Sequence, residues 1–280
     1  MWQIRLHTGA LFSFSVPQVV GILNVTPDSF AVHCFELSND GIERTVREMV
    51  DEGVDILDIG GYSTRPGADW VSEEEEWSRV ERALRVVRKN YPDLCVSLDT
   101  WRSVIARRAV DFYGVDIIND VSGGLWDSKM FDYIAHARVP YILTHTRWLS
   151  PLQESGPVSS DGIVSEVLSF MQHRLDILHQ SGASDVILDP GFGLGKSVDE
   201  NYTLLRELSV LKFLHCPILA GVSRKSMLYK VLGIGPGAAL NATTAAHILA
   251  LEHGADLLRV HDVLPAKEAI AIYKKTYCID

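Results

Sequence analysis

Eight short apolar runs, amphipathic stretches between them and a polar residue at the end of each run predict an α/β protein of the (β/α)8 TIM-barrel class. The runs fall at 19–25, 54–60, 94–99, 115–121, 139–145, 185–189, 217–222 and 256–261, and they are rich in Val, Ile and Leu. Little polar alternation breaks them, as in parallel strands covered on both faces. Eight strand-helix units fit a chain of 280 residues as a barrel, which overrides the two-domain reading that length alone allows. A doubly wound open sheet is the alternative.

The elements follow in order. Strand-like segments at 2–7 and 11–16 predict a short N-terminal β-hairpin over 1–17, leaving 18–280 as one barrel domain. Helices are predicted near 39–52, 102–113, 128–137, 162–181, 199–214 and 236–253. Ser72 with Glu75 has the spacing of a capping box, after which Trp77, Val80, Leu84 and Val87 share one helical face. Pro265 reads as a first-turn proline of the last helix. No linker or low-complexity segment divides the chain.

Composition excludes several classes. With 47% hydrophobic and 22% charged residues, the chain is neither disordered nor fibrous. A net charge of −10 argues against duplex DNA or an anionic membrane as partner, since both need an extended basic face. Cys34, Cys95, Cys216 and Cys278 form no C-x-x-C pair and read as reduced thiols. No run has the length of a membrane span, and the first residues do not form a secretory signal, so a cytoplasmic location is expected.

Barrel enzymes place their chemistry at the carboxyl ends of the strands. Here those ends carry Asn24, Asp58, Asp99, Asn119, His145, Asp189, the Ser223-Arg224-Lys225 turn, and Arg259 with His261, while Thr64 and Arg65 lie on the loop after the second run. Any one of these residues could be a cap or a turn residue, and Asp120 and Asp262 are assigned to that structural class. Convergence on one mouth is what points to chemistry. Asp99, Asn119, Asp189 and Lys225 could read the donor and acceptor edge of a flat nitrogen heterocycle. Asn24, Arg65, Arg259 and His261 could hold a phosphate-like anion, directly or through Mg²⁺, which prefers oxygen ligands and substrate phosphates.

Three partial motifs fail. Gly195-Lys196-Ser197 is no phosphate loop, because Pro190 stands where that loop needs glycine. The Gly233-x-Gly235-x-x-Ala238 stretch follows a helix-like segment where a dinucleotide fingerprint needs a strand. His145 and His261 stand singly, with no H-E-x-x-H spacing for zinc.

Seven ordered segments resemble the dihydropteroate synthases. They are 21–30 (Gly-Ile-Leu-Asn-Val-Thr-Pro-Asp-Ser-Phe), 58–67 (Asp-Ile-Gly-Gly-Tyr-Ser-Thr-Arg-Pro-Gly), 97–100 (Ser-Leu-Asp-Thr), 118–124 (Ile-Asn-Asp-Val-Ser-Gly-Gly), 189–193 (Asp-Pro-Gly-Phe-Gly), 223–226 (Ser-Arg-Lys-Ser) and 259–263 (Arg-Val-His-Asp-Val). The resemblance implies condensation of a hydroxymethyl-dihydropterin pyrophosphate with para-aminobenzoate, giving dihydropteroate and pyrophosphate in folate biosynthesis. It implies pterin binding by Asp99, Asn119, Asp189, Lys225 and Arg259, and pyrophosphate binding by Asn24, Arg65, Arg259 and His261. Thr64, Arg65, Pro66, Phe192, Lys225 and Ser226 would border the aminobenzoate, and Asn24 would bind Mg²⁺. The implied catalytic set is Asn24, Arg65, Asp99, Lys225, Arg259 and His261. An SN1-like course, sulfonamide binding and a homodimer through the outer helices are implied as well.

The chain departs from the family pattern at Tyr62, where Glu is usual, at 31–34 (Ala-Val-His-Cys), where a Ser-Asp-Gly-Gly-like run is usual, and at Thr146, where Met is usual. The first loop, 31–36, therefore departs most from the family pattern. Three alternatives remain: a pterin-binding homologue without catalysis, a methyl-tetrahydrofolate:corrinoid methyltransferase, and a Schiff-base aldolase using Lys225.

Overall fold

The computed structural model describes residues 2–6, 8–26, 38–62, 70–150 and 161–279. The hairpin forms as expected, β1 (Gln3–Arg5) pairing antiparallel with β2 (Leu11–Ser13). Eight parallel strands follow: β3 (Gln18–Asn24), β4 (Ile56–Gly60), β5 (Cys95–Asp99), β6 (Ile117–Asp120), β7 (Tyr141–Thr144), β8 (Val186–Asp189), β9 (Leu219–Ala220) and β10 (Leu257–Val260). Each pairs with its sequence neighbour, and β10 pairs with β3. The ring closes between β8 and β9 through the Leu188–Ile218 bridge and a 2.8 Å bond from the Leu188 N–H to the Pro217 carbonyl. This is the barrel, and the open-sheet alternative falls.

The helices α1 (Asn39–Asp51), α2 (Glu73–Asn90), α3 (Ser103–Tyr113), α4 (Met130–Ala137), α5 (Ile163–Ser181), α6 (Val198–Arg206), α7 (Ser226–Leu232), α8 (Leu240–Glu252) and α9 (Val263–Tyr277) alternate with the barrel strands, two of them following β9. The stretch 199–214 splits into α6 and a 3₁₀ segment, Leu208–Leu214, and the stretch 236–253 opens with a 3₁₀ turn, Pro236–Ala238, before α8. α7 was not expected, because seven residues are too few to display a periodicity.

Capping explains several boundaries. Ser72 accepts from the Glu75 N–H at 3.2 Å, but the Glu75 carboxylate pairs with Arg79, so only half of the predicted capping box forms. A complete box stands instead at Ser197 and Glu200, opening α6. Pro265 is the third residue of α9, still within the first turn, where no intrahelical bond is lost.

Two apolar layers sandwich the strands. Val80, Leu84 and Val87 of α2 are fully buried in the larger core between strands and helices, with Trp77 packed at its edge. A second cluster fills the bottom of the barrel with Val20, Ile56, Cys95, Ile117, Ile142, Ile187, Leu219 and Leu257, one from each strand, and the hairpin's Ile4 and Phe14 plug it. Backbone positions two residues further along those strands face the same interior.

Candidate active site

Those next interior positions are Ile22, Asp58, Ser97, Asn119, Thr144, Asp189, Gly221 and Arg259, so on six of the eight strands the barrel turns from apolar to polar within one step. Arg259, on β10, spans the mouth. Its Nε donates to Asp58 Oδ2 at 2.7 Å and its Nη2 to Asp99 Oδ2 at 2.6 Å. Asn119 Nδ2 donates to the same Asp58 oxygen at 3.0 Å. Asp58 is fully buried and thus gathers the guanidinium and the amide that face any ligand. Strand-end counting found Asp58 but gave it no role, since its partners lie 61 and 201 residues away.

Asp189 closes the other side. Its Oδ1 accepts from the Gly191 N–H at 2.8 Å, while Oδ2 lies 3.8 Å from where a Cβ at Gly221 would stand. The Lys225 ammonium donates to the Phe192 carbonyl at 2.6 Å. Burial pushes Lys225 down to about 8 and raises both Asp99, to about 7, and Asp189, with Arg259 opposing both carboxyl shifts. Asp120 accepts from Ser122, Gly124 and Tyr141, the turn role expected of it. Asp262 likewise is structural, forming a two-bond pair with Arg224, whose Nε and Nη2 donate at 2.8 Å.

Among the residues expected to hold the anion, His261 has its Nδ1 3.0 Å from Ser223 Oγ, which also accepts from the His261 N–H at 3.2 Å and so sets the orientation of the ring. Sequence reading had not singled out Ser223 for this. Asn24 ends β3 beside Gly60, where a Cβ would come within 3.2 Å of Asn24 Oδ1 and 3.6 Å of Asp99 Cβ. The missing side chain keeps that carboxamide oxygen open between the two halves of the site. Among the described residues no group of three or more His, Cys, Asp or Glu could hold a metal ion.

The residues expected to border the aminobenzoate fall only partly among the described residues. Thr64, Arg65, Pro66 and the first loop, 31–36, lie outside the described residues. Ser226 is the first residue of α7, next to Lys225. Phe192 was expected to border the aminobenzoate; its side chain is fully buried in the outer core, and its carbonyl accepts from Lys225. His145 is neutral, because burial and the Lys196 and Arg147 cations push it down to about 2, so its 3.4 Å contact with Glu166 is not an ion pair.

The family model described as "Pterin binding enzyme" matches residues 20–261. The dihydropteroate synthase of Haemophilus influenzae is 37% identical over 264 residues, 94% of either chain. This chain belongs to the dihydropteroate synthase family. The Yersinia pestis dihydropteroate synthase, solved with a sulfonamide drug complex, superposes with a TM-score of 0.92 at 33% identity and covers 99% of this chain and 100% of its own. The Xanthomonas albilineans dihydropteroate synthase with 4-aminobenzoic acid gives 0.88 at 36% identity over 100% of both chains.

Tyr62, where the resemblance led us to expect Glu, presents its ring 5.5 Å from the Arg102 guanidinium, which also meets Trp70 and Trp101 at 5.1 and 4.6 Å. Arg102 is neutralised by the buried Glu76 at 2.5 Å, and Glu76 also accepts from Thr100, next to Asp99, at 2.6 Å. Tyr62, Trp70 and Trp101 thus form an aromatic wall around the Arg102–Glu76 pair.

Proposed function

We propose that the chain condenses a hydroxymethyl-dihydropterin pyrophosphate with para-aminobenzoate, forming dihydropteroate and pyrophosphate. The observation that carries this reading is the Asp58–Arg259–Asp99 bridge, with Asn119, Asp189 and Lys225 around it. Ionised carboxylates accept from amino and ring N–H groups, Asn119 offers both a donor and an acceptor, and Lys225 donates. Arg259 covers the heterocycle's face. The family relationship and the relatives solved with a sulfonamide and with 4-aminobenzoic acid support the same assignment.

The reaction begins with loss of pyrophosphate. The bond between the pterin methylene carbon and the bridging oxygen breaks, and the oxygen keeps the electron pair. Arg259 and His261, with Arg65, stabilise the charge that develops there. Asn24 supplies a hard oxygen of the kind Mg²⁺ takes when substrate phosphates complete its shell, so Asn24 would hold that ion. When bound, Mg²⁺ adds charge neutralisation at the departing phosphates. The ring delocalises the methylene cation, the aryl amine attacks it, and the amine proton leaves. Thr64, Pro66, Phe192, Lys225 and Ser226 border the aminobenzoate, with Phe192 acting through its carbonyl grip on Lys225. No protein nucleophile is needed.

The protein works as a homodimer in this reading. The outer helices α6, α7 and α8 carry exposed Tyr202, Val231, Leu232 and Leu249, with Ile234 beside them, an apolar face that a second copy would cover. No helix among the described residues is long and apolar enough to cross a membrane, and the reading places the work in the cytoplasm.

The test is pyrophosphate release with each substrate, and then Mg²⁺, omitted in turn. Product is expected only when all three are present. Pterin binding without pyrophosphate release under any condition would establish the non-catalytic homologue, and methyl transfer to a corrinoid would overturn the assignment altogether.

A further inference from the structure

The Gly195-Lys196-Ser197 stretch fails as a phosphate loop, yet the structure gives its lysine a specific place. Lys196 is buried, and its Nζ reaches back beneath the turn that follows β8. It donates to the Gly191 carbonyl at 2.6 Å and to the His145 carbonyl at 3.3 Å. One ammonium therefore ties the end of the fifth barrel strand to the turn that begins at Asp189. The same turn is held from the opposite side, where Lys225 donates to the next carbonyl, that of Phe192, at 2.6 Å.

The turn has little freedom of its own. Gly191 adopts a φ of +68°, and a Cβ there would stand 1.9 Å from the His145 carbonyl oxygen, so only glycine permits the close approach that Lys196 bridges. The Gly191 N–H in turn donates to Asp189 Oδ1 at 2.8 Å. The path from Lys196 to the Asp189 carboxylate thus runs through a single peptide pair, the Gly191 carbonyl on one side and its N–H on the other. Asn201 locks the remainder, accepting from the Gly193 N–H at 2.7 Å and donating to the Lys196 carbonyl at 3.2 Å.

We propose that Lys196 is a positioning residue for pterin recognition, acting through the Gly191 peptide to aim and electrostatically support the Asp189 carboxylate. A lysine there is otherwise costly: burial depresses it to about 7, with Lys225 and Arg147 opposing its charge and Asp189 and Glu166 favouring it. An apolar residue would fill the space without that cost, and what it could not supply is the double grip on the two loop carbonyls. The inference rests on the assignment of Asp189 to the pterin.

Calorimetry on the full chain with two probes, an unphosphorylated hydroxymethylpterin and inorganic pyrophosphate, tests it. In Lys196→Met the pterin affinity should fall about tenfold, the scale of one hydrogen bond to a charged group, with pyrophosphate affinity held within about threefold. Lys196→Gln, which keeps two N–H donors on a shorter arm, should lose less and serves if the Met variant does not fold. Combining Lys196→Met with Asp189→Asn decides the route. If Lys196 acts through Asp189, the double variant loses little more than Asp189→Asn alone. Additive losses, or equal losses for both probes, would overturn the positioning role. Failure of Asp189→Asn to weaken pterin binding would instead sink the pterin assignment beneath it.

Discussion

The two ends of the barrel interior are built from the same eight strands and follow opposite rules. At the bottom, Val20, Ile56, Cys95, Ile117, Ile142, Ile187, Leu219 and Leu257 meet the hairpin and make no demand beyond volume. Two residues further on, Asp58, Asn119, Asp189 and Arg259 occupy the equivalent positions and must satisfy one another. The first layer contributes to stability through area removed from water, roughly 25 cal/mol per Å² of apolar surface. The second layer buries charge, which costs stability unless every partner is present. The lesson is that fold and recognition are separated along each strand by a single alternation, so they should respond to mutation separately.

The sharpest way to break that separation is to remove the group that joins the carboxylates. Arg259→Met leaves fully buried Asp58 facing Asp99 with no cation between them, and losing one partner of a buried pair costs about 3 to 5 kcal/mol. Denaturant unfolding should show that loss, and product formation should fall by at least about 100-fold with the electrostatic support gone. Adding Asp58→Asn should recover part of the stability and none of the activity. At the bottom, Ile187→Ala should cost about 2 to 5 kcal/mol for the cavity it opens. Its KM for either substrate should nonetheless match wild type. A KM change in Ile187→Ala at a temperature where it is folded would show that the layers are coupled after all.

This division explains what could be read from the sequence. Strand order, the barrel and the polar strand ends were legible because an apolar run closing on a polar residue is a local property, visible in Ile187 and Asp189 or Leu257 and Arg259. Contacts made across strands were not. Ser223 orients His261 over 38 residues and Asp58 meets Arg259 over 201, and no spacing signals either. Lys196 was set aside by a motif test that asks only about phosphate. The predicted capping box at Ser72 was half right because Glu75 had a better partner in Arg79, one turn further along α2.

A finer cut divides the polar layer itself into heterocycle and anion sides. Asp189→Asn keeps size and removes charge, and a hydrogen bond to a charged group is worth about 1.5 to 3 kcal/mol. Affinity for an unphosphorylated pterin should fall roughly 10-fold to 150-fold, since about 1.4 kcal/mol is a factor of ten. His261→Ala should weaken pyrophosphate binding by about tenfold and leave that pterin within about threefold, below the loss of a charged bond. Calorimetry with each ligand in each variant reads both. Parallel losses in all four titrations, with melting temperatures unchanged, would erase the boundary between the two sides.

The smallest effect sets binding and stability against each other as pH varies. Burial raises Asp99 to about 7 and depresses Lys196 and Lys225 to about 7 and 8. Between about pH 4 and 7 the folded chain holds a proton on Asp99 that the unfolded chain has released, so stability falls as pH rises through that window. From about 7 to 10 the unfolded chain keeps lysine protons that the folded chain has lost, so stability rises with pH. For these three groups the unliganded protein is least stable near pH 7. Pterin binding wants the reverse, an ionised Asp99 with protonated lysines, and so should be tightest at that same pH. The expected record is a bell-shaped affinity curve for the unphosphorylated pterin over a melting-temperature profile that carries these three contributions, at about 2 to 4 °C per kcal/mol, together with an opposing rise with pH below about 6.5 from the buried neutral His145 and His247. Asp99→Asn should reduce the acid limb of the affinity curve and remove its own share of the stability change, leaving that of Asp189, whereas Lys225→Met should reduce the basic limb of both. A variant that flattened one curve and left the other unmoved would show that the groups holding the pterin are not those whose burial destabilises the empty barrel.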